Sequence, residues 1–213
     1  MSKKQETKQE LTAVIAPPNL QLAQFKIRGT APYVQNKFSK KAKEFMHATQ
    51  VEGSKSKNKN KKDGKNFDSC FAESQHIASD GWCGIPAPAF RNAMISACRV
   101  AGFTMTKAKL SVFILPDGFD CDDGTPLVKI TKGEPKYHES HVRLATGVCD
   151  LRARAMWHAG WEATVTVRFD ADQFDHSDVA NLLLRVGQQV GIGEGRPDSR
   201  QSAGMGWGLF DIV

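Results

Sequence analysis

The chain predicts an α+β protein in which helices cover one face of an antiparallel sheet, and three observations carry that prediction. Stretches 20–28, 149–157 and 161–169 alternate apolar and polar residues, the pattern of strands buried on one side. Stretches 86–102 and 177–190 repeat apolar residues at the spacing of a helix with one buried stripe. In order, the segments run strand, helix, strands, strand pair, helix, strand, which suits helices packed on one side of a sheet.

At 213 residues and 40% hydrophobic composition the chain can bury a sizeable core. Its length fits one elaborated domain, 19–213, behind a polar segment 1–18 read as flexible. A net charge of +6 and a pI near 9.1 favour polyanionic partners over acidic small molecules. The 5 cysteines include no Cys-x-x-Cys pair, which argues against a disulfide framework or zinc knuckle and for reduced thiols in a cytoplasmic setting. No apolar run approaches the roughly 20 residues of a membrane span. No motif implies a cofactor or a metal.

Leu20 to Arg28 reads as the first strand, with Ala23, Phe25 and Ile27 on one face and Gln24, Lys26 and Arg28 on the other. That polar face meets either solvent or a ligand. A short helix is expected over 37–49 through Phe38, Ala42, Phe45 and Met46. Stretch 53–66 holds lysines and asparagines from which no core can be built, so a disordered basic insertion is expected there. Residues 67–77 offer apolar contacts without a clean period and are read as a returning strand. His76 and Asp80 are expected as exposed loop residues.

Pro86 and Pro88 suit a helix's first turn, where the missing N–H costs nothing. Phe90, Met94, Ala97, Cys98 and Ala101 make its stripe, and Gly102 ends it. Residues 109–115 and 126–131 read as strands joined by an aspartate-rich turn, 117–124, that lacks the spacing and terminal glutamate of an EF-hand. Residues 134–146 cluster Lys136, Tyr137, His138, His141 and Arg143, types that stack on bases and hold phosphates. Strands 149–157 and 161–169 are matched in amphipathicity and expected to pair with each other, showing Arg152, Arg154 and Arg168 on the polar face. Glu162 is the natural partner for one of these arginines. Asp175 or Ser177 caps a last helix with the stripe Val179, Leu182, Leu183, Val186 and Val190, which Gly191 ends.

The most distinctive stretch is the end of the chain. Gly191, Gly193 and Gly195, then Gly204, Gly206 and Gly208, alternate with other residues, and Arg196, Arg200 and Trp207 share the segment. Glycine lets a backbone approach a ligand closely and turns N–H groups into anion donors. A dinucleotide fingerprint would follow a strand and open a helix, and a phosphate loop needs Gly-Lys-Ser/Thr. Here the run follows a helix and leads into a short final strand, about 205–212.

This order of helix, glycine loop and terminal strand resembles the RAMP superfamily, ferredoxin-like RNA-binding proteins that build CRISPR effector complexes and process their guide RNAs. Val190-Gly191-Ile192-Gly193 and Gly204-Met205-Gly206 fit the family's closing pattern. Gly84-Ile85-Pro86-Ala87-Pro88-Ala89-Phe90-Arg91-Asn92 is similar to the Ile-Pro-Gly-Ser-Ser-Leu-Lys/Arg-Gly segment that opens the first helix of its backbone subunits. Ala87-Pro88 replaces Gly-Ser there, and Asn92 replaces the second glycine. Phe25 to Tyr33 resembles the first strand and its Gly-x-x-Pro exit.

The resemblance implies a ferredoxin-like (RRM-like) sheet with inserted hairpins that binds single-stranded RNA, or DNA, without a cofactor. It implies that the loop at Gly193 and Gly195, with Arg196 and Arg200, holds phosphates, and that Lys26, Arg28 and Arg91 continue the track. Arg152 and Arg154 would add charge on the sheet face, Tyr137 and His141 would lie on a gripping hairpin, and Trp207 would stack a base. Self-association along the strand and kinship with stand-alone phage-encoded relatives are further implications. Two other classes stay open: an endoribonuclease using His76 and Asp80, and a protein-interaction subunit whose glycine loop serves contacts between chains.

Overall fold

A computed structural model describes residues 16–52, 64–143, 149–199 and 204–213. In chain order the strands and helices are β1 (Leu20–Gly29), β2 (Tyr33–Val34), α1 (Lys40–Glu52), α2 (Phe67–Glu73), β3 (Gly84–Pro86), α3 (Ala87–Ala101), α4 (Met105–Ser111), β4 (Val112–Leu115), β5 (Gly118–Phe119), β6 (Pro126–Lys132), β7 (Lys136–Arg143), β8 (Cys149–Trp157), β9 (Glu162–Asp170), α5 (His176–Arg185) and β10 (Phe210–Ile212). A π-helical turn, Val186–Val190, extends α5.

The main sheet is built around β1, which pairs with β9 from Leu20↔Asp170 to Arg28↔Glu162 and with β10 through Ile27↔Ile212. The other edge of β9 is shared by β4, at Val112↔Phe169, and by β6, at Ile130↔Ala163. β3 and β5 then pair with β6. Every pairing is antiparallel, and with its helices the protein is α+β.

Alternation decides which side of this sheet is covered. Ala23, Phe25 and Ile27 of β1 and Ala163, Val165, Val167 and Phe169 of β9 are buried, while Gln24, Lys26 and Arg28 stay exposed. Phe90, Met94, Ala97 and Cys98 of α3 and Val179, Leu182 and Leu183 of α5 join the same core. Each large side chain buried this way contributes about 1.5–3 kcal/mol. Gly102 ends α3 in the left-handed conformation at φ 71°, returning its N–H to the Cys98 carbonyl. Asp175 and Asp178 form the capping box that opens α5.

A smaller sheet, β2-β8-β7, stands beside the first. It is the far end of one long hairpin, because β6 runs into β7 and β8 runs into β9. Lys132↔Glu162 in the main sheet is followed by Lys136↔Met156 in the smaller one, with Gly133 and Gly160 at positive φ in the corner between them. The expected pairing of 149–157 with 161–169 is therefore corrected: β8 pairs with β7 and β2, and β9 with β1, β4 and β6. Alternation specifies the face a strand buries and leaves its neighbour open. Here the linker is spent on β1, with Gly29 N–H donating to the Trp161 carbonyl at 2.8 Å and Gly160 N–H to the Gly29 carbonyl at 2.7 Å.

Three further expectations change. Residues 67–77 begin with a helix, α2, because Asn66 caps it by accepting from the Ser69 N–H and Asp68 suits its first turn. Residues 109–111 complete α4, leaving the strand only Val112–Leu115, and Leu110 is exposed. The terminal strand is Phe210–Ile212 alone, since Gly204, Gly206 and Gly208 all take positive φ, which no strand uses. The helix expected over 37–49 is shifted, running Lys40–Glu52. The insertion 53–63 of the expected disordered stretch and residues 1–15 lie outside the described residues.

Candidate functional site

After the π-helical turn the chain folds into a loop over β2 and returns as β10. All six of its glycines take φ between 71° and 78°, a region that side chains with a Cβ enter only with strain. The loop is stitched by its own carbonyls and by those of β2 and its approach. Ile192 N–H donates to Gly208, Met205 and Trp207 to Gly195, Glu194 to Val34, and Gly208 to Pro32. A Cβ on Gly208 would lie 1.8 Å from the Ile192 carbonyl oxygen, and one on Gly195 would lie 2.4 Å from the Trp207 ring. Much of the glycine requirement thus comes from the loop packing against itself. The N–H groups of Gly193, Gly195 and Arg196 have no carbonyl partner among the described residues.

Side chains lock this loop to the hairpin. Glu194 accepts from Arg152 at 3.2 Å and from Arg154 at 3.0 Å, and Arg196 donates to the Gly193 carbonyl at 3.0 Å. Trp207 is half-buried and meets His138 of β7 edge to face, with ring centroids 5.4 Å apart.

Between the loop, β2 and α3 lies a cavity of about 460 Å³, within the range of about 300–1,000 Å³ common for small-ligand sites. Its polar lining includes Asn36, His76, Asn92, Ser96, Arg196 and Asp198. Asp198 is paired with Arg99 at 2.8 Å.

His76 departs from its expected exposed position, being 9% exposed. Its Nδ1 lies 2.8 Å from Oδ2 of Asp120, a carboxylate whose side chain is completely buried. The Lys37 ammonium lies 2.7 and 2.9 Å from the two Asp120 oxygens and 2.9 Å from Asp122, and Lys40 holds Asp122 from outside. Burial alone would raise Asp120, but hydrogen bonds from Lys37, the Asp122 N–H and His76 outweigh it and keep the carboxyl below its ordinary range. Lys40 and then Lys37 hold Asp122 down at about 2. Burial lowers His76 against the pull of Asp120, so the neutral imidazole donates through Nδ1. His76, Asp120 and Asp123 place ligand atoms within 4.8 Å of one another. The Lys37 ammonium neutralises Asp120, so the carboxylate is the centre of a salt-bridge network that also holds His76. Stretch 117–124 has the pattern of a turn, and Lys37 is 83 residues away from Asp120, so no local signal links them.

Lys26, Arg28 and Lys132 converge on Glu162 of β9 at 3.0, 2.9 and 3.3 Å. Lys26 and then Arg28 hold that carboxyl down at about 2. The arginine that pairs with Glu162 is therefore Arg28, and Arg168 instead lies over the Phe113 ring at 5.0 Å. Arg91 sits where α4 meets β4, donating to the Val112 carbonyl at 3.0 Å and lying 4.9 Å over Phe113. Tyr137 and His141 share the hairpin face of their partners Ala155 and Leu151, the face that packs on α2; Arg152 and Arg154 lie on the opposite face, toward the loop. Asp80 is exposed in a turn after His76. Arg200 lies outside the described residues.

The assembled features describe an α+β protein with a glycine-loop cavity backed by a buried His-Asp-Lys network. No family model matches the chain, and no curated protein is significantly similar to it. Among the described residues no helix is long and apolar enough to cross a membrane.

Proposed function

We propose that this chain binds single-stranded nucleic acid, RNA in preference to DNA, as a RAMP-like protein. The observation that carries the reading is the cavity where the glycine loop meets β2 and α3: its lining includes Gly193, Gly195 and Arg196, whose N–H groups have no carbonyl partner among the described residues. Backbone N–H groups beside a guanidinium form a natural phosphate cradle. Lys26, Arg28 and Lys132 outnumber their shared Glu162 on the uncovered sheet face, leaving positive charge for the strand's backbone. A ferredoxin-like reading is supported by the order β10-β1-β9 with β4 beside β9, and by α3 and α5 on the covered face. Assembly of several copies along one strand belongs to the same proposal.

The test is fluorescence anisotropy with labelled single-stranded RNA, single-stranded DNA and duplex DNA over a salt series, comparing the native chain with Arg196→Ala. Salt-sensitive single-strand binding that weakens in the variant is the expected result. Absence of binding at low salt sinks the reading and favours a protein-interaction subunit.

Strand cleavage is favoured as a second reading by one observation, the His76–Asp120 pair at the cavity. The carboxylate beside His76 is Asp120, and Asp80 lies exposed in the following turn. Bound RNA recovered intact after long incubation with the native chain removes this reading.

A further inference from the structure

His76 has two ring nitrogens with different surroundings. Nδ1 faces Asp120, which is fully buried and is not among the residues lining the cavity, whereas His76 itself is. With Nδ1 committed to Asp120, Nε2 is the ring nitrogen that remains available to a ligand in the cavity His76 lines, and it has no hydrogen-bond partner among the described residues. We infer that His76 is a phosphate ligand of this cavity, so that binding of the strand takes up a proton at Nε2. The inference rests on the nucleic-acid reading and adds to it the residue that couples binding to pH.

The groups around the ring make this chemistry coherent. On the Nδ1 side are the buried Asp120, with Lys37 bonded to it, and the exposed Asp123, one of whose oxygens lies within 4.8 Å of the nearest His76 nitrogen and Asp120 oxygen. Lys37, Lys40 and Lys43 match Asp120, Asp122 and Asp123 in number, so this side is nearly neutral. On the cavity side are Arg196, Tyr33, Glu194 and Asp198; Glu194 is engaged by Arg152 and Arg154, and Asp198 by Arg99. A neutral imidazole with Nδ1–H committed to Asp120 presents a lone pair at Nε2, which repels a phosphate oxygen. Protonation converts that lone pair into a charge-assisted donor, and a neighbouring phosphodiester favours the charged form. Burial without a ligand works in the other direction and keeps the ring neutral.

The experiment is titration calorimetry of the full chain with an oligouridylate, whose phosphodiesters and bases do not titrate in the range used. It is run near pH 6.5 in two buffers of different ionisation enthalpy and accompanied by affinities from about pH 8 to about pH 5.5. Expected are net proton uptake and tightening as pH falls, by at most about tenfold per pH unit for one proton. In His76→Gln the uptake should vanish and the affinity should lose its dependence on pH over this range. As a check that does not depend on the variant folding, the His76 imidazole resonances of the native chain should titrate at higher pH with the RNA bound than without it. Binding that is pH-independent, with no uptake and an unmoved His76 titration, overturns the inference while leaving the nucleic-acid reading intact. No binding at any pH overturns both.

Discussion

Lys37 shows how much one side chain can organise. Its ammonium, 6% exposed, is shared between Asp120 and Asp122 and joins the chain after β2 to the turn between β5 and β6. Removing one partner of a buried pair strands the other charge, so Lys37→Met should cost about 3–5 kcal/mol in urea denaturation. Restoring neutrality with Lys37→Met/Asp120→Asn should recover part of that loss. The network also sets an acid limit. His76 is lowered in the folded state, so folding disfavours its protonated form. Stability should therefore decline as pH falls below the ordinary histidine value near 6.5. Asp120 is lowered too, and the stability it contributes is lost at still lower pH, below its ordinary value of 3.8. Thermal melts of the native chain and of His76→Gln should differ in the first of these windows; parallel curves there would remove His76 from the acid limit.

At the scale of elements, the glycine loop and the long hairpin are the parts most exposed to test. Gly102 and Gly208 share φ 71°, yet a Cβ at Gly102 meets nothing within 4 Å while one at Gly208 meets the Ile192 carbonyl at 1.8 Å. Gly102→Ala should thus lose only the backbone cost of about 1 kcal/mol, and Gly208→Ala should lose at least about 2 kcal/mol more, read from urea midpoints. Equal losses would show that the loop gives way freely. Glu194 is the hairpin's hold on the loop through Arg152 and Arg154. Glu194→Gln weakens both contacts, so amide exchange at Gly193 to Arg196 should speed up while exchange in β1 and β9 stays unchanged.

Over the whole molecule the net charge of +6 predicts a salt-dependent interaction with polyanions. For single strands each phosphate contact adds about −0.7 to the slope of log affinity against log salt, so Arg196→Ala should flatten that slope by about one contact. An unchanged slope would move the phosphate site away from the glycine loop. The sheet architecture was readable where burial alone sets the pattern, as in β1, β9, α3 and α5. It is not legible wherever a partner has to be chosen, as with β8, or where a cap outranks apolar content, as with α2. The candidate site was legible in its glycines and arginines and illegible in its acid: Asp120 stood in a run of aspartates that reads as an ordinary turn.

Which faces are buried, where α3 ends and that the terminal loop demands glycine can be read along the chain, because these depend on the period of apolar residues and on local φ; that the last helix gives way after Arg185 to a π-helical turn cannot. Long-range packing is what sends β8 to β7 instead of β9, turns His76 inward onto Asp120 and Lys37, and gives Arg152 and Arg154 to Glu194. Those outcomes depend on contacts between residues far apart in the chain, and no local pattern encodes them.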